Sequence, residues 1–295
     1  MSISVRITDD YDLEKIASSG QCFRWEKIAK DGYRILHGKR CVYVESLQEQ
    51  WYTFSCDEKE FAAVWTDYFD FQENYAGIRS RIDQGEDPFL WLAAEHERGI
   101  RILRQEPWEI LVTFIISQNK NIPAIRRSVE MLSKLCGERR TDSREREYYA
   151  FPTPEAITKC SEQDLRACSL GYRWKYVLEA ALAVKNGYLD LNLLRDKEEE
   201  QTTKALMSLY GVGMKVASCV SLFGLHHMDA FPKDVWIKRI LANEYPNGYP
   251  FTKYSPYNGV YQQYMFAYYR TKERKEPGRK FLEACRRCIR CQLWL

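Results

Sequence analysis

The sequence predicts an α+β protein in which an antiparallel β-sheet domain over residues 1–90 is followed by an α-helical region over residues 91–295. Three observations predict this fold class. Short strand-like segments crowd the first third of the chain, helical periodicity begins near residue 87, and a tight glycine hairpin joins two helices at about residues 202–224. Strands that follow one another without long helices between them pair most simply as antiparallel neighbours.

The expected strands lie close together in the chain. Isoleucine and valine alternate with polar residues over residues 3–7, as one buried face of a strand requires. Residues 33–37 and 40–44 flank a two-residue Gly-Lys turn, which is typical of a β-hairpin. Residues 51–54, rich in aromatic side chains, make a further short strand.

Helix signals take over after the strands. Asp87 is followed by proline, the form of an N-cap with proline at the first helical position. Pro107 opens a helix with one strongly apolar face, and residues 161–164 resemble a capping box. Two charged stretches, residues 138–147 and 195–200, interrupt the helices and are expected to be solvated loops.

Composition bounds the class of protein. The net charge is +3, from 44 basic and 41 acidic residues, but nine basic residues stand against three acidic ones between residues 270 and 290. Such a charge distribution is compatible with nucleic acid or with a solvated surface. No apolar stretch is long enough to cross a bilayer. We interpret the ten cysteines as reduced thiols and not as a disulfide framework. We expect a monomer without a membrane partner, in a prokaryotic cytoplasm in preference to a nucleus.

The most informative segment is the glycine hairpin. Gly211 and Gly213 lie one residue apart, between a helix from about residue 202 and an apolar helix that restarts at residue 214. The two glycines allow a sharp turn that exposes backbone N–H groups, and these groups at a helix start suit an approaching phosphate. Lys215 follows directly. Glycine hairpins are common, however, and most lysines beside them are simply exposed.

An acidic residue follows at a fixed distance from the hairpin. Asp234 ends an extended segment containing a proline and opens a helix, so it is either an N-cap or a functional carboxylate. A neutral lysine amine can attack a sugar carbon, and a helix dipole disfavours the protonated form of an amine at its N-terminus. A nearby carboxylate stabilises the sugar cation that forms as a glycosidic bond breaks.

The combination of hairpin, lysine and later aspartate resembles the helix-hairpin-helix DNA glycosylases. The resemblance implies that Lys215 is the nucleophile of a bifunctional enzyme, which attacks C1′, releases the base and cuts the strand through a Schiff base. It implies that Asp234 is the second catalytic residue, and that Gly211 and Gly213 bind the DNA backbone.

Three further segments resemble the 8-oxoguanine DNA glycosylase branch of that superfamily. Residues 19–25 read Ser-Gly-Gln-Cys-Phe-Arg-Trp, and the resemblance implies that the carbonyl of Gly20 accepts the N7–H that marks oxidised guanine. Residues 114–122 contain Asn119, which would fill the space left by the flipped base. In the Leu-Gly-Tyr-Arg segment, Tyr172 would wedge into the base stack and Arg173 would reach the base opposite the lesion.

A fourth segment, residues 260–266, resembles the family's late helix, whose glutamine and phenylalanine face the base pocket. Gln262 and Phe266 are four residues apart and so share one helix face. The resemblance implies that one bonds the Watson–Crick edge and the other stacks on the base. Cys219 lies four residues after Lys215, where the family packs the opposite face of the base. For Cys219 and Phe266, ordinary core packing is the alternative interpretation.

The chain departs from the family pattern in two site positions and in its tail. Trp236 stands where family members carry a histidine that touches a phosphate, and Ala124 stands where many have an arginine that reads the opposite cytosine. Cys285, Cys288 and Cys291 lack the spacing of the four-cysteine iron–sulfur cluster of related glycosylases, so we expect no metal and no cofactor.

The expected partner is double-stranded DNA containing oxidised guanine, excised with a relaxed preference for the opposite base. Two alternatives stay open at this point. The chain could act on another damaged base within the same superfamily, or it could be a DNA-binding protein without catalysis. The segment around Gly20 argues against the first, and the pairing of Lys215 with Asp234 argues against the second, since a simple anchor needs neither residue.

Overall fold

The computed structural model describes residues 1–275, with side chains to residue 271, and has the expected α+β architecture. The strands are β1 Ile3–Arg6, β2 Trp25–Ala29, β3 Gly32–His37, β4 Arg40–Ser46, β5 Trp51–Phe54, β6 Arg139–Thr141 and β7 Glu147–Tyr149. The helices are α1 Leu13–Ser18, α2 Glu58–Glu60, α3 Thr66–Tyr68, α4 Tyr75–Arg79, α5 Pro88–His96, α6 Pro107–Ser117, α7 Ile122–Cys136, α8 Pro154–Ile157, α9 Glu162–Ala167, α10 Trp174–Lys185, α11 Leu191–Leu194, α12 Glu199–Met207, α13 Met214–Phe223, α14 Val235–Glu244, α15 Phe251–Tyr254 and α16 Asn258–Lys275. A π-helical segment, Phe61–Trp65, joins α2 to α3, and a 3₁₀ turn, Gly171–Arg173, precedes α10.

The first five strands form one antiparallel sheet in the order β1-β5-β4-β3-β2. β3 and β4 are the predicted hairpin, with His37 paired to Arg40 across the Gly-Lys turn. Gly38 in that turn has a φ of +56°, which favours glycine and explains why the turn occurs there. The four predicted strands are confirmed as β1, β3, β4 and β5, and the sheet has a further edge strand, β2, that the alternation pattern did not predict.

The expected helix starts are also confirmed. Asp87 caps α5 by accepting a hydrogen bond from the N–H of Leu90 at 3.0 Å. Pro107 is the first residue of α6, where its missing N–H costs nothing. Ser161 and Asp164 cap each other's backbone N–H groups at the start of α9. Each of these helix starts depends only on neighbouring residues, so the sequence alone predicts it.

Residues 138–147 are mostly exposed, as expected, but they are not a loop. β6 and β7 pair as a short hairpin from Arg139 to Tyr149, and its arginines form ion pairs with Glu26 and Glu45 of the first sheet. Between β6 and β7, the fully buried carboxylate of Asp142 accepts hydrogen bonds from Arg34 Nε at 2.7 Å and from the hydroxyl of Tyr43 at 2.9 Å. The charge of Asp142 is therefore neutralised by a distant partner. Residues 195–200 are exposed, as expected, although α12 already begins at Glu199.

Two apolar cores hold the fold together. One lies against the first sheet and is built from large side chains such as Phe54, Trp65 and Phe69. The other lies among the helices, where Phe114 of α6 stacks on Phe223 of α13 with ring centroids 5.5 Å apart. Helices α1–α4 lie inside residues 1–90, and the division at residue 90 stays a prediction. In residues 1–275, no helix combines the length and apolarity that a membrane span requires.

Candidate active site

The glycine hairpin lies between α12 and α13 as the sequence predicts. Gly211 has a φ of +82°, and a Cβ placed on it would lie 2.2 Å from the Tyr176 ring. Gly213 is the N-cap of α13 with a φ of −98°, and a Cβ there would meet nothing within 4 Å. The two glycines therefore serve different purposes. Gly211 permits both the backbone turn and the close approach of an aromatic ring, whereas Gly213 leaves the start of α13 open to solvent.

Lys215 is the second residue of α13, half-buried at the helix N-terminus. Its Nζ lies 5.1 Å from the ring centroid of Phe114, so the amine is held over an aromatic face of α6. Cys219, one turn later, is buried next to Lys215. Burial raises the pKa of the Cys219 thiol to about 11 although Lys215 opposes the shift, so the thiol stays protonated at neutral pH.

Asp234 is the N-cap of α14, and one of its carboxylate oxygens accepts a hydrogen bond from the N–H of Ile237 at 2.9 Å. Its second oxygen makes no hydrogen bond to any residue in the described part of the chain. The capping role considered from the sequence is thus real, and it leaves one oxygen available. Asp234 and Lys215 line the same cavity, of about 510 Å³.

The other walls of this cavity come from distant parts of the sequence. Gly20, with a φ of +87°, and Phe266 of α16 face each other, since a Cβ on Gly20 would lie 3.4 Å from the Phe266 ring. Three of the lining residues are basic and one is acidic. A concave, partly aromatic site with this charge balance suits a planar base attached to a sugar phosphate. The complete lining is Gly20, Phe23, Phe114, Ser117, Lys120, Asn121, Ile122, Ile125, Lys215, Asp234, Trp236, Phe266 and Arg270.

Two of the residues assigned to the base pocket do not line the cavity. Gln262 is buried, donating to the carbonyl of Pro232 at 3.0 Å and accepting from Gln263 at 2.8 Å. Cys219 lies behind Lys215, also buried. Contact of either residue with a base stays a prediction. The bond from Gln262 holds α16 to the segment that carries Asp234.

The residues expected to replace a flipped base form a group beside the hairpin. Asn119, with a φ of +52°, donates through Nδ2 to the hydroxyl of Tyr172 at 3.3 Å. The Tyr172 side chain is 48% exposed, so its ring is accessible from solvent. Arg173 is buried, stacks at 4.4 Å on Tyr172, and donates to the backbone carbonyls of Gln118 and Leu170. Its guanidinium is thus held by the loop that carries Asn119.

Two family models match consecutive parts of the chain. The N-terminal domain of 8-oxoguanine DNA glycosylase matches residues 3–111, and the HhH-GPD superfamily of base excision DNA repair proteins matches residues 112–247. A solved structure of MBOgg1 in complex with a low affinity DNA ligand is 35% identical, with a TM-score of 0.86 over 92% of this chain and 96% of that chain. The chain belongs to the 8-oxoguanine DNA glycosylase family.

Other family members agree in fold and sequence. The 8-oxoguanine glycosylase/lyase of Clostridium acetobutylicum, solved with double-stranded DNA containing cytosine opposite 8-oxoG, is 32% identical, with a TM-score of 0.86 over 92% of this chain and 96% of that chain. An N-glycosylase/DNA lyase of Saccharomyces cerevisiae is 40% identical over 159 residues, which are 50% of this chain and 42% of the relative. The matched segments span less than two thirds of the length of the first three curated relatives.

Within this family frame, the structure adds pocket residues that sequence reasoning missed. Lys120 lines the cavity, with its Nζ 2.6 Å from Ser128 Oγ; burial lowers the pKa of Lys120, and the nearby Arg173 adds to the shift. Arg270 also lines it, 5.1 Å over the Phe266 ring. Trp236, noted only as a departure from the family histidine, is a wall of the cavity. The sequence offered one signal for Lys120 as a pocket residue, namely its position between Asn119 and Asn121 in the segment 114–122. Cys285, Cys288 and Cys291 lie outside the described residues.

Proposed function

We propose that this protein is a bifunctional DNA glycosylase and lyase that excises 8-oxoguanine from duplex DNA after flipping the nucleotide out of the stack. The observation that carries the proposal is the meeting of Lys215 and Asp234 in one cavity that Gly20 and Phe266 also line. A lysine, a carboxylate, a backbone carbonyl and a stacking ring are the groups this reaction needs.

In the proposed reaction, the unprotonated amine of Lys215 attacks C1′ as the C1′–N9 bond breaks, and the electron pair of that bond leaves with the base, which takes up a proton. The charged oxygen of Asp234 stabilises the positive charge that develops on the sugar. Loss of the sugar ring C–O bond then yields a Schiff base. Removal of a C2′ proton expels the 3′ phosphate, which cuts the strand, and hydrolysis frees Lys215.

Base selection is proposed to depend on the carbonyl of Gly20. Normal guanine has an unprotonated N7, an acceptor that would face the carbonyl lone pair without a hydrogen bond, whereas 8-oxoguanine presents an N7–H donor. The positive φ of Gly20 and the Phe266 ring beside it support this arrangement, because that backbone conformation strains any residue with a Cβ and glycine leaves the carbonyl close to the ring. Gln262 and Cys219 complete the proposed pocket, with Gln262 turning its amide from Pro232 towards the base.

DNA is proposed to be held by the hairpin N–H groups at Gly211 and Gly213, while Tyr172 and Asn119 replace the flipped base. Arg173 is the proposed reader of the opposite base. Exposure of Tyr172 and the open start of α13 support these roles.

The test is a panel of duplexes that each carry one defined lesion, among them 8-oxoguanine, an oxidised pyrimidine and undamaged guanine. Release of 8-oxoguanine with strand cleavage is the expected result. Preferential release of an oxidised pyrimidine would favour the same superfamily with another substrate, and binding without cleavage of any duplex would favour a non-catalytic DNA-binding protein.

Lys215→Gln tests the nucleophile. We expect it to abolish base release and borohydride trapping on lesion DNA, while specific binding survives because the hairpin is unchanged. Lys204→Gln is the matched control, since it removes an exposed lysine of α12 outside the cavity. Trapping that persists in Lys215→Gln at the wild-type level would contradict the assignment.

A further inference from the structure

We propose that Gln118 and Tyr176 are positioning residues that couple the DNA-anchoring hairpin to the residues that replace the flipped base. This inference rests on the proposed function and adds two residues that no sequence motif singled out. Binding of the DNA backbone by the hairpin at Gly211 and Gly213 and opening of the base stack by Tyr172 then occur in one concerted step, because the two elements are in contact through Gln118 and Tyr176.

The first connection runs through the side chain of Gln118, the C-cap of α6. Its Nε2 donates to the carbonyl of Gly211 in the hairpin and to the carbonyl of Ile115, both at 3.1 Å. The backbone carbonyl of Gln118 in turn accepts a hydrogen bond from the Arg173 guanidinium. One residue therefore touches the hairpin with its side chain and the candidate opposite-base reader with its backbone.

Gln118 also sets the position of the neighbouring filler residue. Asn119 follows it in a left-handed conformation, with a φ of +52°, and donates to the hydroxyl of Tyr172. Such a backbone conformation is held by surrounding contacts, and the two bonds of the Gln118 amide act here beside the Asn119–Tyr172 and Arg173–Gln118 bonds. Loss of the amide would free the loop and leave the Gly211 carbonyl without this donor.

The second connection is a row of three aromatic rings that reaches from the wedge to the hairpin. Tyr176, on the first turn of α10, makes edge contacts with Tyr172 at 5.7 Å and with Tyr210 at 5.0 Å. The same ring fills the space beside Gly211, where any Cβ would overlap it. Tyr172 and Tyr210 are 48% and 63% exposed, so Tyr176 is the packed centre between two rings that face the solvent.

These two connections are independent in chemistry, since one is polar and the other aromatic. Both end on Gly211 at the hairpin and on the Asn119–Tyr172 pair at the wedge. A shift of about 1 Å in catalytic or positioning groups can cost about 100-fold in rate. We therefore expect loss of either connection to slow steps that need the wedge, while steps that need only the nucleophile continue.

The experiment compares two substrates in single-turnover reactions: a duplex with 8-oxoguanine opposite cytosine, and a duplex with a preformed abasic site. The first requires base extrusion and the second has no base to extrude. We expect Gln118→Met and Tyr176→Leu to slow excision of 8-oxoguanine about 10- to 100-fold. Cleavage at the abasic site should change less than about threefold, because Lys215 and Asp234 are untouched.

Matched variants control for general effects. Tyr176→Phe keeps the ring, and within residues 1–275 the Tyr176 hydroxyl makes no hydrogen bond, so this variant should restore the wild-type rate. Gln163→Met applies the glutamine change to an exposed position of α9. Thermal unfolding of each variant identifies any that fail to fold, and Gln118→Met, which keeps side-chain length, tests the idea without disturbing the aromatic row.

A second readout follows the wedge directly. Emission from 2-aminopurine placed beside the lesion rises when the stack opens, whether or not the base is released, and its amplitude should fall in both variants. Equal slowing on the two substrates, or an unchanged amplitude and excision rate, would overturn the coupling. Failure of the wild-type protein to release 8-oxoguanine would instead defeat the proposed function, and the 2-aminopurine signal would still decide the coupling.

Discussion

Substitution of Gly211 by alanine is the sharpest structural perturbation that the hairpin offers. Alanine at this residue would lower the stability of the fold in two separate ways, through backbone strain and through steric overlap. The backbone has a φ of +82°, a conformation that alanine adopts only with strain, and the new Cβ would lie 2.2 to 2.5 Å from carbon atoms of the Tyr176 ring. Either the hairpin or the ring must move.

The magnitude follows from adding the two costs. A left-handed backbone costs a residue with a Cβ about 1–2 kcal/mol. Overpacking against a well-packed ring costs about 1–3 kcal/mol. Gly211→Ala should therefore lower the free energy of unfolding by about 2–5 kcal/mol, which corresponds to a fall in Tm of roughly 3–8 °C for a chain of this length. DNA binding should weaken as well, since the hairpin is displaced.

The assay is thermal unfolding of a double-mutant cycle. In a Tyr176→Ala background the ring is gone, so Gly211→Ala should cost only the backbone part, about 1–2 kcal/mol. Gly213→Ala is the matched control: its φ is −98° and its surroundings are open. Its cost should stay below about 1 kcal/mol. An equal cost for Gly211→Ala in both backgrounds would show that the ring contact carries no energy, and a cost as small as that of Gly213→Ala would refute the reasoning altogether.

Three further predictions concern the opposite base, the buried ion pair and the tail. If Arg173 reads the opposite base as proposed, Ala124 in place of a second arginine forfeits about 1–3 kcal/mol of discrimination. Single-turnover excision opposite each of the four bases should then show appreciable activity opposite bases other than cytosine, and strict dependence on cytosine would contradict this. Asp142→Asn should destabilise the protein by about 1–3 kcal/mol at pH 7, because the buried charge of Arg34 loses its close carboxylate partner and keeps only the half-exposed Glu26, 3.4 Å away. Burial alone raises the Asp142 pKa, but backbone N–H donors, Tyr43 and Arg34 outweigh it and the net pKa is lowered. The stabilisation is therefore present above the ordinary aspartate pKa and is lost as the pH falls through the lowered value. Denaturant titrations should show that the difference in unfolding free energy between wild type and variant shrinks in acid, and a difference independent of pH would argue against this. Elemental analysis should find no stoichiometric zinc or iron, and one metal per chain that disappears in Cys288→Ser would overturn the expectation of ordinary thiols.

The sequence predicts those parts of the fold that depend on neighbouring residues. The hairpin turn at Gly38, the cap at Asp87 and the proline start of α6 each require a particular residue type at a particular position. Such requirements can be read without knowing the rest of the chain. The same holds for the glycine hairpin, because a positive φ at Gly211 is a local demand.

The sequence does not predict features whose partners are far away in the chain. The β6–β7 hairpin reads as a polar loop because Asp142 is neutralised by Arg34, 108 residues earlier. The role of Tyr176 is equally hidden, since its ring meets Gly211 only when α10 packs beside the hairpin. Hydrophobic periodicity and capping signals contain no information about which distant charge or glycine a side chain will meet.

The same distinction explains why the candidate catalytic pair is easier to find than the pocket around it. Lys215 and Asp234 both lie at helix starts, one on the first turn of α13 and the other as the N-cap of α14. Their directions are fixed by backbone geometry, and a cap leaves an aspartate one oxygen to spare. Asp234→Asn keeps an oxygen that can accept the Ile237 N–H, so it separates the two roles of this residue. If the carboxylate charge is what the reaction uses, base release in Asp234→Asn should be strongly slowed while the Tm stays close to that of the wild type. A near-normal rate of base release with an unchanged Tm would reduce Asp234 to a helix cap.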